Sequence, residues 1–284
     1  MAIDNFKPTL WSALIIDALR KSLVFGNVAN RNYEGEIKNG GEKVKILEIG
    51  DITVSDYSGT VSYQDIQDAS KYLLIDQQKY FAFGLDDVDK AQAAVDVMAR
   101  ATEKGAYKLR DTSDQFIAGL YGDAGVTSGL GTTAAPLTVT SAGASATTSV
   151  KSLFSSIAKG LDEKNVPQEG RWIVIPPWLH QKIVLAQDAQ LTVENSATTN
   201  GRVGVLWGFD VRMSNNVATV STGTVAKVMA GTNEAISYAD QLVKIEALRR
   251  DTSFADGVRG LHVYGAKVVQ NDALAVASVS EGTT

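Results

Sequence analysis

Apolar and polar residues follow one another along this chain with two different periods, and the changes of period mark its elements. The longest run with a helical period is 85–121. Val88, Ala91, Val95, Met98, Thr102, Gly105, Leu109, Phe116 and Leu120 recur there at three- and four-residue spacing. Lys90, Asp96, Arg100, Glu103, Lys104, Lys108, Arg110 and Asp114 fall between them and read as a solvated face. Asp86, Asp87 and Asp89 stand where carboxylates cap free N–H groups and meet the positive end of a helix dipole. The spacing predicts one helix from Leu85 to Tyr121, roughly 50 Å long, against an average of about 11–12 residues. Gly105 in its middle costs about 1 kcal/mol relative to alanine, so it marks a bend or a close contact.

The other elements are shorter. Pro8 to Leu23 reads as a helix whose apolar face must dock on something else, and Phe25 to Gly41 as a polar, glycine-bearing arm. Glu42–Asp51 and Lys71–Phe83 read as two strands, separated by the long polar stretch 52–70. Asp76, Gln77, Gln78 and Lys79 give the second strand the character of an exposed ribbon. An isolated two-stranded ribbon is marginal in water, so it needs a second subunit to lie on. Gly122 to Ser149 is rich in Gly, Ala, Ser and Thr, with Leu137–Thr140 its best strand. Ser149 caps a helix running to Asn165, with Val150, Leu153, Phe154, Ile157 and Leu161 on one face. Trp172–Ile175 is a short, wholly apolar strand that Pro176-Pro177 stops, and Trp178–Leu185 starts a helix. Gln187–Arg202 reads as a loop. Val203–Met213, Thr224–Met229 and Gly257–Val269 read as strands, Ala235–Glu246 is apolar with breaks, and Asn271–Ala277 finishes the chain.

Composition narrows the function. A chain of 284 residues with 44% hydrophobic content can bury a substantial core. Its net charge of −5 argues against gripping nucleic acid through a basic surface. The absence of cysteine excludes disulfides, zinc–thiolate sites, iron–sulfur clusters and thiol nucleophiles. Leu14, Ile15 and Ile16 form too short an apolar run, broken by Asp17 and Arg20, for a signal peptide or a membrane span. A start in the cytoplasm is expected.

Candidate chemistry is sparse. The two histidines, His180 and His262, are far apart and have no partner at metal-ligand spacing. H-E-x-x-H, G-x-S-x-G and Walker A patterns are absent. Gly129-Leu130-Gly131-Thr132-Thr133-Ala134 fits G-x-G-x-x-A, but a helix precedes it and Pro136 follows, so it reads as a flexible loop. Asp86, Asp87 and Asp89 can gather a divalent cation, which would make an α/β metalloenzyme, yet helix capping accounts for them. Lys43, Lys45, Lys71 and Lys79 read as solvating or edge-blocking residues. No nucleophile, base and orienting group assemble. The expectation is a protein that is not an enzyme, with no catalytic, cofactor-binding or metal residues and no cofactor.

The stretch "VPQEGRWIVIPPWLHQKI", Val166 to Ile183, resembles the VP-x-x-GR-hydrophobic-P segment of tailed-bacteriophage major capsid proteins. The closing stretch resembles the same family through Ala235-Ile236-Ser237-Tyr238-Ala239-Asp240-Gln241, then Glu246, Arg249 and Phe254, then Val258 to Val268. The short opening helix leading into an arm resembles it too. The resemblance implies an α+β chain with the Hong Kong 97-type capsid fold. That fold has an N-terminal arm (1–41), an extended loop made of a β-ribbon (42–84) and a peripheral domain (85–168 with the spine helix 85–121, and 240–284). An axial domain (169–239) completes it, with Gln187–Arg202 as the loop near the symmetry axis. It implies a major capsid protein of a tailed double-stranded DNA bacteriophage, assembling as pentamers and hexamers into an icosahedral shell. Implied partners are further copies of the chain, a separate scaffolding protein, a portal, a decoration protein and weakly held DNA, with no membrane. The expected location is the virion, after assembly in the bacterial cytoplasm. Some relatives cross-link Lys to Asn, and Lys71 and Asn271 are the residues here that such chemistry would use. The alternative is an encapsulin-like nanocompartment shell, which uses the same fold around a cargo enzyme.

Overall fold

The computed structural model describes residues 24–32, 43–49, 56, 68–86, 97–141, 147–186, 202–249 and 255–282. In chain order its elements begin with the single turn α1 (Phe25–Val28) and the strands β1 (Lys43–Ile49), β2 (Asp68–Leu74) and β3 (Gln77–Asp86). The long helix α2 (Val97–Ala118) follows and tightens into a 3-10 turn, Gly119–Asp123. Next come β4 (Leu137–Thr140), β5 (Thr148–Ser149), α3 (Val150–Asp162), β6 (Trp172–Ile175) and α4 (Pro177–Leu185). The strands β7 (Arg202–Leu206), β8 (Phe209–Met213), β9 (Thr219–Val220), β10 (Val225–Gly231), β11 (Ile236–Arg249) and β12 (Ala255–Val268) lead to the last strand, β13 (Leu274–Glu281).

These strands make three sheets. The largest has eight strands, in the order β5-β4-β13-β10-β6-β8-β7, with β9 paired to the start of β10. Its central strands are buried on both faces, so they read as unbroken apolar runs rather than alternations. Every residue of β6 and of β10 is buried. Helix α3 lies against this sheet with Leu153, Phe154, Ile157 and Leu161 fully buried. Ser149 caps α3, its Oγ accepting from Ser152 N–H at 3.1 Å. Pro176 and Pro177 end β6 and start α4, where a missing N–H costs nothing. Between β7 and β8 a two-residue turn puts Trp207 and Gly208 at φ 48° and 82°, the geometry of a tight hairpin.

The second sheet has three long antiparallel strands, β11-β12-β3, and α2 covers one of its faces. The third is the two-stranded pair β1-β2. This pairing corrects the expected strand Lys71–Phe83. The chain breaks at Ile75-Asp76, and β2 pairs with β1 whereas β3 pairs with β12. Polar residues Gln77, Gln78 and Lys79 therefore edge the three-stranded sheet rather than a free ribbon.

The expected start of the long helix is also corrected. Leu85 and Asp86 end β3, opposite Asp256 and Ala255 of β12, so both belong to a strand. Asp87 and Asp89, with the rest of 87–96, lie outside the described residues, as do the helix expected over Pro8–Leu23 and most of the loop Gln187–Arg202. Asp114, read as solvated, is buried at 3% exposure. Phe25 and Val28, read as the start of a loose arm, are 0% and 1% exposed in the main core.

Gly105 serves a close contact. A Cβ there would meet the Phe81 ring at 3.2 Å, and one on Gly260 would meet the same ring at 2.5 Å. Phe81 thus lies between α2 and β12 because both elements present glycine to it. Gly105→Ala gains helix propensity and pushes the ring by a few tenths of an ångström. Its net effect on thermal unfolding is expected within about 1 kcal/mol. A loss above about 3 kcal/mol would show that Gly105 bends the helix instead.

Candidate functional site

One buried polar construction is the turn between α3 and β6. Asn165 and Gly170 hold φ of 57° and 71°, so the chain reverses within a few residues. Arg171 then folds back into the turn. Its Nε donates to Pro167 O at 2.8 Å, and one terminal nitrogen donates to Val166 O at 2.6 Å and to Asp162 Oδ1 at 2.7 Å. The guanidinium is 4% exposed. The V-P-x-x-G-R pattern is therefore a self-contained lock: Pro fixes the turn, Gly supplies the left-handed residue, and Arg satisfies two carbonyls and a carboxylate.

The second construction is the root of the β1-β2 ribbon. Val44, Ile46, Leu73 and Ile75 form a small core with Ala239 of β11, with Val263 and Val269 packed beside it. The backbone of Leu74 and Ile75 crosses directly over Gly265 of β12. Lys71 reaches the same region and donates from Nζ to Val269 O. Lys71 and Asn271 line one cleft of about 590 Å³ with Lys164, Glu234 and Asp272. The outer side of the ribbon keeps Tyr72 and Leu74 exposed, at 41% and 51%.

The third is the face of the three-stranded sheet away from α2. Tyr80 is 76% exposed there, and a cavity of about 480 Å³ is walled by Tyr80, Ala82, Gly260, Leu261 and the Arg259–Glu246 ion pair. An apolar surface of this kind, rimmed by charge, marks an interaction site more often than chemistry.

The two histidines lie on different elements. His180 is half-buried in the first turn of α4. His262 is buried at 1% and packs on the Tyr264 ring at 5.0 Å. The two nitrogens of His262 and the hydroxyl of Tyr264 find no hydrogen-bond partner among the described residues. Burial lowers the His262 pKa below its ordinary 6.5; Asp240 opposes that shift and Arg31, paired with Asp240 at 2.9 Å, adds to it. An unfolded chain then binds the proton more readily than the folded one, so stability falls as pH drops below 6.5 towards the folded value. His262→Phe is expected to flatten that part of a urea-midpoint-against-pH profile. An unchanged slope would place the pH dependence elsewhere.

The glycine-rich stretch is not a slack loop. Leu130 is fully buried, Val126 O and Leu130 O accept from Val276 and Ser278 N–H at 3.0 and 2.9 Å, and the stretch lines the edge of β13. Lys227 pins it, donating to Thr133 Oγ1 at 2.8 Å and Ser278 Oγ at 2.7 Å, and burial lowers its pKa. A helix precedes this stretch, so it lacks the strand a dinucleotide fingerprint requires. Lys45 and Lys79 are exposed, in keeping with a solvating role. No cluster of three metal-capable side chains occurs among the described residues, nor any helix long and apolar enough to cross a membrane.

Sequence patterning missed Asp114, Lys227 and Gly265. Asp114 sits among charged neighbours on α2, and only its partners reveal its burial. Burial pushes its carboxyl above the ordinary value, against hydrogen bonds from Asn216 and from the backbone of Phe25, Gly26 and Val24.

Comparison with known proteins gives the arrangement its place. No curated protein matches the sequence. A family model described as "Phage capsid protein" matches residues 71–279. A solved structure from Mycobacterium phage Che8 is 32% identical over 90% of this chain and 91% of its own, with a TM-score of 0.72. The capsid of cyanophage P-SCSP1u shares 18% identity over 86% of this chain and 85% of its own, with a TM-score of 0.63. A virus-like particle from Pyrococcus furiosus shares 12% identity over 93% of this chain and 96% of its own, with a TM-score of 0.56, a likeness of fold alone. The α+β architecture fits these relatives, and the chain belongs to the phage capsid protein family, with the Hong Kong 97-type capsid fold.

Proposed function

We propose that this capsid shell protein is the major capsid protein of a tailed double-stranded DNA bacteriophage, built into pentamers and hexamers of an icosahedral shell. Its family consists of structural proteins, so it is not an enzyme, and it self-associates as a component of a virion capsid. The observation that carries the finer reading is the 32% identity to the Che8 phage structure across nine-tenths of both chains. The exposed ribbon and sheet faces support it, since surfaces a chain cannot bury on itself are available to its copies.

In this reading residues 1–41 form the arm, rooted at α1, and the β1-β2 ribbon forms the extended loop within 42–84. β3 is then the edge of the peripheral sheet, and α2 is the spine within 85–121. The peripheral domain takes 85–168 and 240–284, and the axial domain takes 169–239. A scaffolding protein, a portal, a decoration protein and weakly bound DNA are the partners, and assembly takes place in the host cytoplasm. An acidic chain suits a container whose contents must pack and leave.

Particles containing this chain, purified from the cells that make them and treated with nuclease, test the reading. Protected double-stranded DNA is expected. Particles enclosing a protein cargo and no nucleic acid would support a nanocompartment instead.

A further inference from the structure

Asp114 on α2 is shared by two segments far apart in sequence, 24–28 and 214–217. Its Oδ1 accepts from Phe25 N–H at 2.8 Å, and the N–H groups of Val24 and Gly26 are also directed at the carboxylate. Its Oδ2 accepts from Asn216 Nδ2 at 3.2 Å. Asn216 belongs to the turn between β8 and β9, where its own N–H donates to Ser214 Oγ at 3.1 Å and its Oδ1 faces Gln115 Nε2 at 3.5 Å. Asp114 is 3% exposed, Phe25 0% and Val217 5%, and Asn216 closes the junction from a half-buried position.

We infer that Asp114 is a coupling residue, through which the seating of segment 24–28 and the conformation of turn 214–217 set one another. The physical reason is the cost of a buried carboxylate oxygen with no donor. If Asn216 withdraws, Oδ2 is left unpaired, and the carboxylate must turn towards water or take up a proton. Either response weakens its hold on the Phe25 and Gly26 N–H groups. If segment 24–28 lifts away, Oδ1 is orphaned, and the side chain leaves the rotamer that meets Asn216. Such coupling is reciprocal by linkage. It joins segment 24–28 to a turn that follows β8, the neighbour of β6 in the eight-stranded sheet. A pull on the arm root is therefore felt at that turn through two consecutive hydrogen bonds, without passing through the apolar core.

Hydrogen exchange on the full chain tests this. Asn216→Ala is expected to speed exchange at the Phe25 and Gly26 amides by about tenfold, the equivalent of one net hydrogen bond, although Asn216 touches neither. Asn216→Asp, which sets a second carboxylate against Oδ2, is expected to speed it further. Asp114→Asn combined with Asn216→Ala should be no faster than Asp114→Asn alone. In the reverse direction, Phe25→Ala should speed exchange at the Asn216 amide. Wild-type rates at Phe25 and Gly26 in both Asn216 variants would overturn the inference. So would effects of Asp114→Asn and Asn216→Ala that add in full.

Discussion

Replacing Arg171 with alanine is expected to cost about 3 kcal/mol, the largest single loss among the polar positions. The side chain is buried at 4% exposure and supports Val166 O, Pro167 O and Asp162 Oδ1. The Asp162 carboxylate is about half exposed, so the ion pair itself contributes little. The loss comes mainly from Val166 O, a buried acceptor, whereas Pro167 is exposed and its carbonyl can turn to water. A buried acceptor left without a donor costs about 1–3 kcal/mol. Arg171→Lys keeps the charge but not the fork, and one ammonium cannot reproduce all three bonds. It is expected to lose about half as much. Urea unfolding of the wild type and both variants measures this. A loss under about 1 kcal/mol for Arg171→Ala would mean that Asn165, Pro167 and Gly170 hold the turn without it.

Gly265→Ala is expected to detach the ribbon. An added Cβ would lie 2.0 Å from Leu74 O and 2.9 Å from Ile75 Cα, and both are backbone. A ring can rotate away, as Phe81 can from Gly260→Ala, but a backbone crossing must move as a unit. Overpacking of this kind costs about 1–3 kcal/mol before any lost burial is counted. Here it also lifts Leu73 and Ile75 off Ala239 and Val263. The body of the chain, with its separate eight-stranded core, is expected to remain folded. The ribbon should become sensitive to limited proteolysis near Leu74, and the variant should fail to form shells. Normal assembly with a protected ribbon would show that the crossing at Gly265 is not what positions it.

Much of the fold was legible where one short stretch determines an element. Trp172–Ile175 is apolar at every position because β6 is covered on both faces, and the double proline after it ends the strand in sequence and in structure alike. Ser149 caps α3 as its position before the apolar run implies. What was not legible depends on partners far away in the chain. Lys71–Phe83 reads as one strand because alternation continues through Ile75-Asp76, while the change of partner from β1 to β12 leaves no local mark. Leu85 and Asp86 look like the start of a helix because three aspartates follow one another closely. Their pairing with Asp256 and Ala255 decides otherwise.

The candidate surfaces divide in the same way. The V-P-x-x-G-R segment was visible as a pattern, but only the structure shows why Arg171 belongs to it. Tyr80 and Leu261 stand opposite one another on an open sheet face because β3 joins β12, a pairing that neither strand's own sequence specifies. Asp114 shows the limit most sharply. Its spacing on α2 assigns it to solvent, and a backbone segment some ninety residues earlier, at Phe25, makes it part of the core.

Copies of this chain are proposed to build a closed shell. Electron microscopy of the purified chain, alone and with the proposed scaffolding protein added, is the decisive measurement. Closed particles with fivefold and sixfold clusters of subunits are expected, with the β1-β2 ribbon of each subunit lying on a neighbour. A monodisperse monomer under every assembly condition would contradict it.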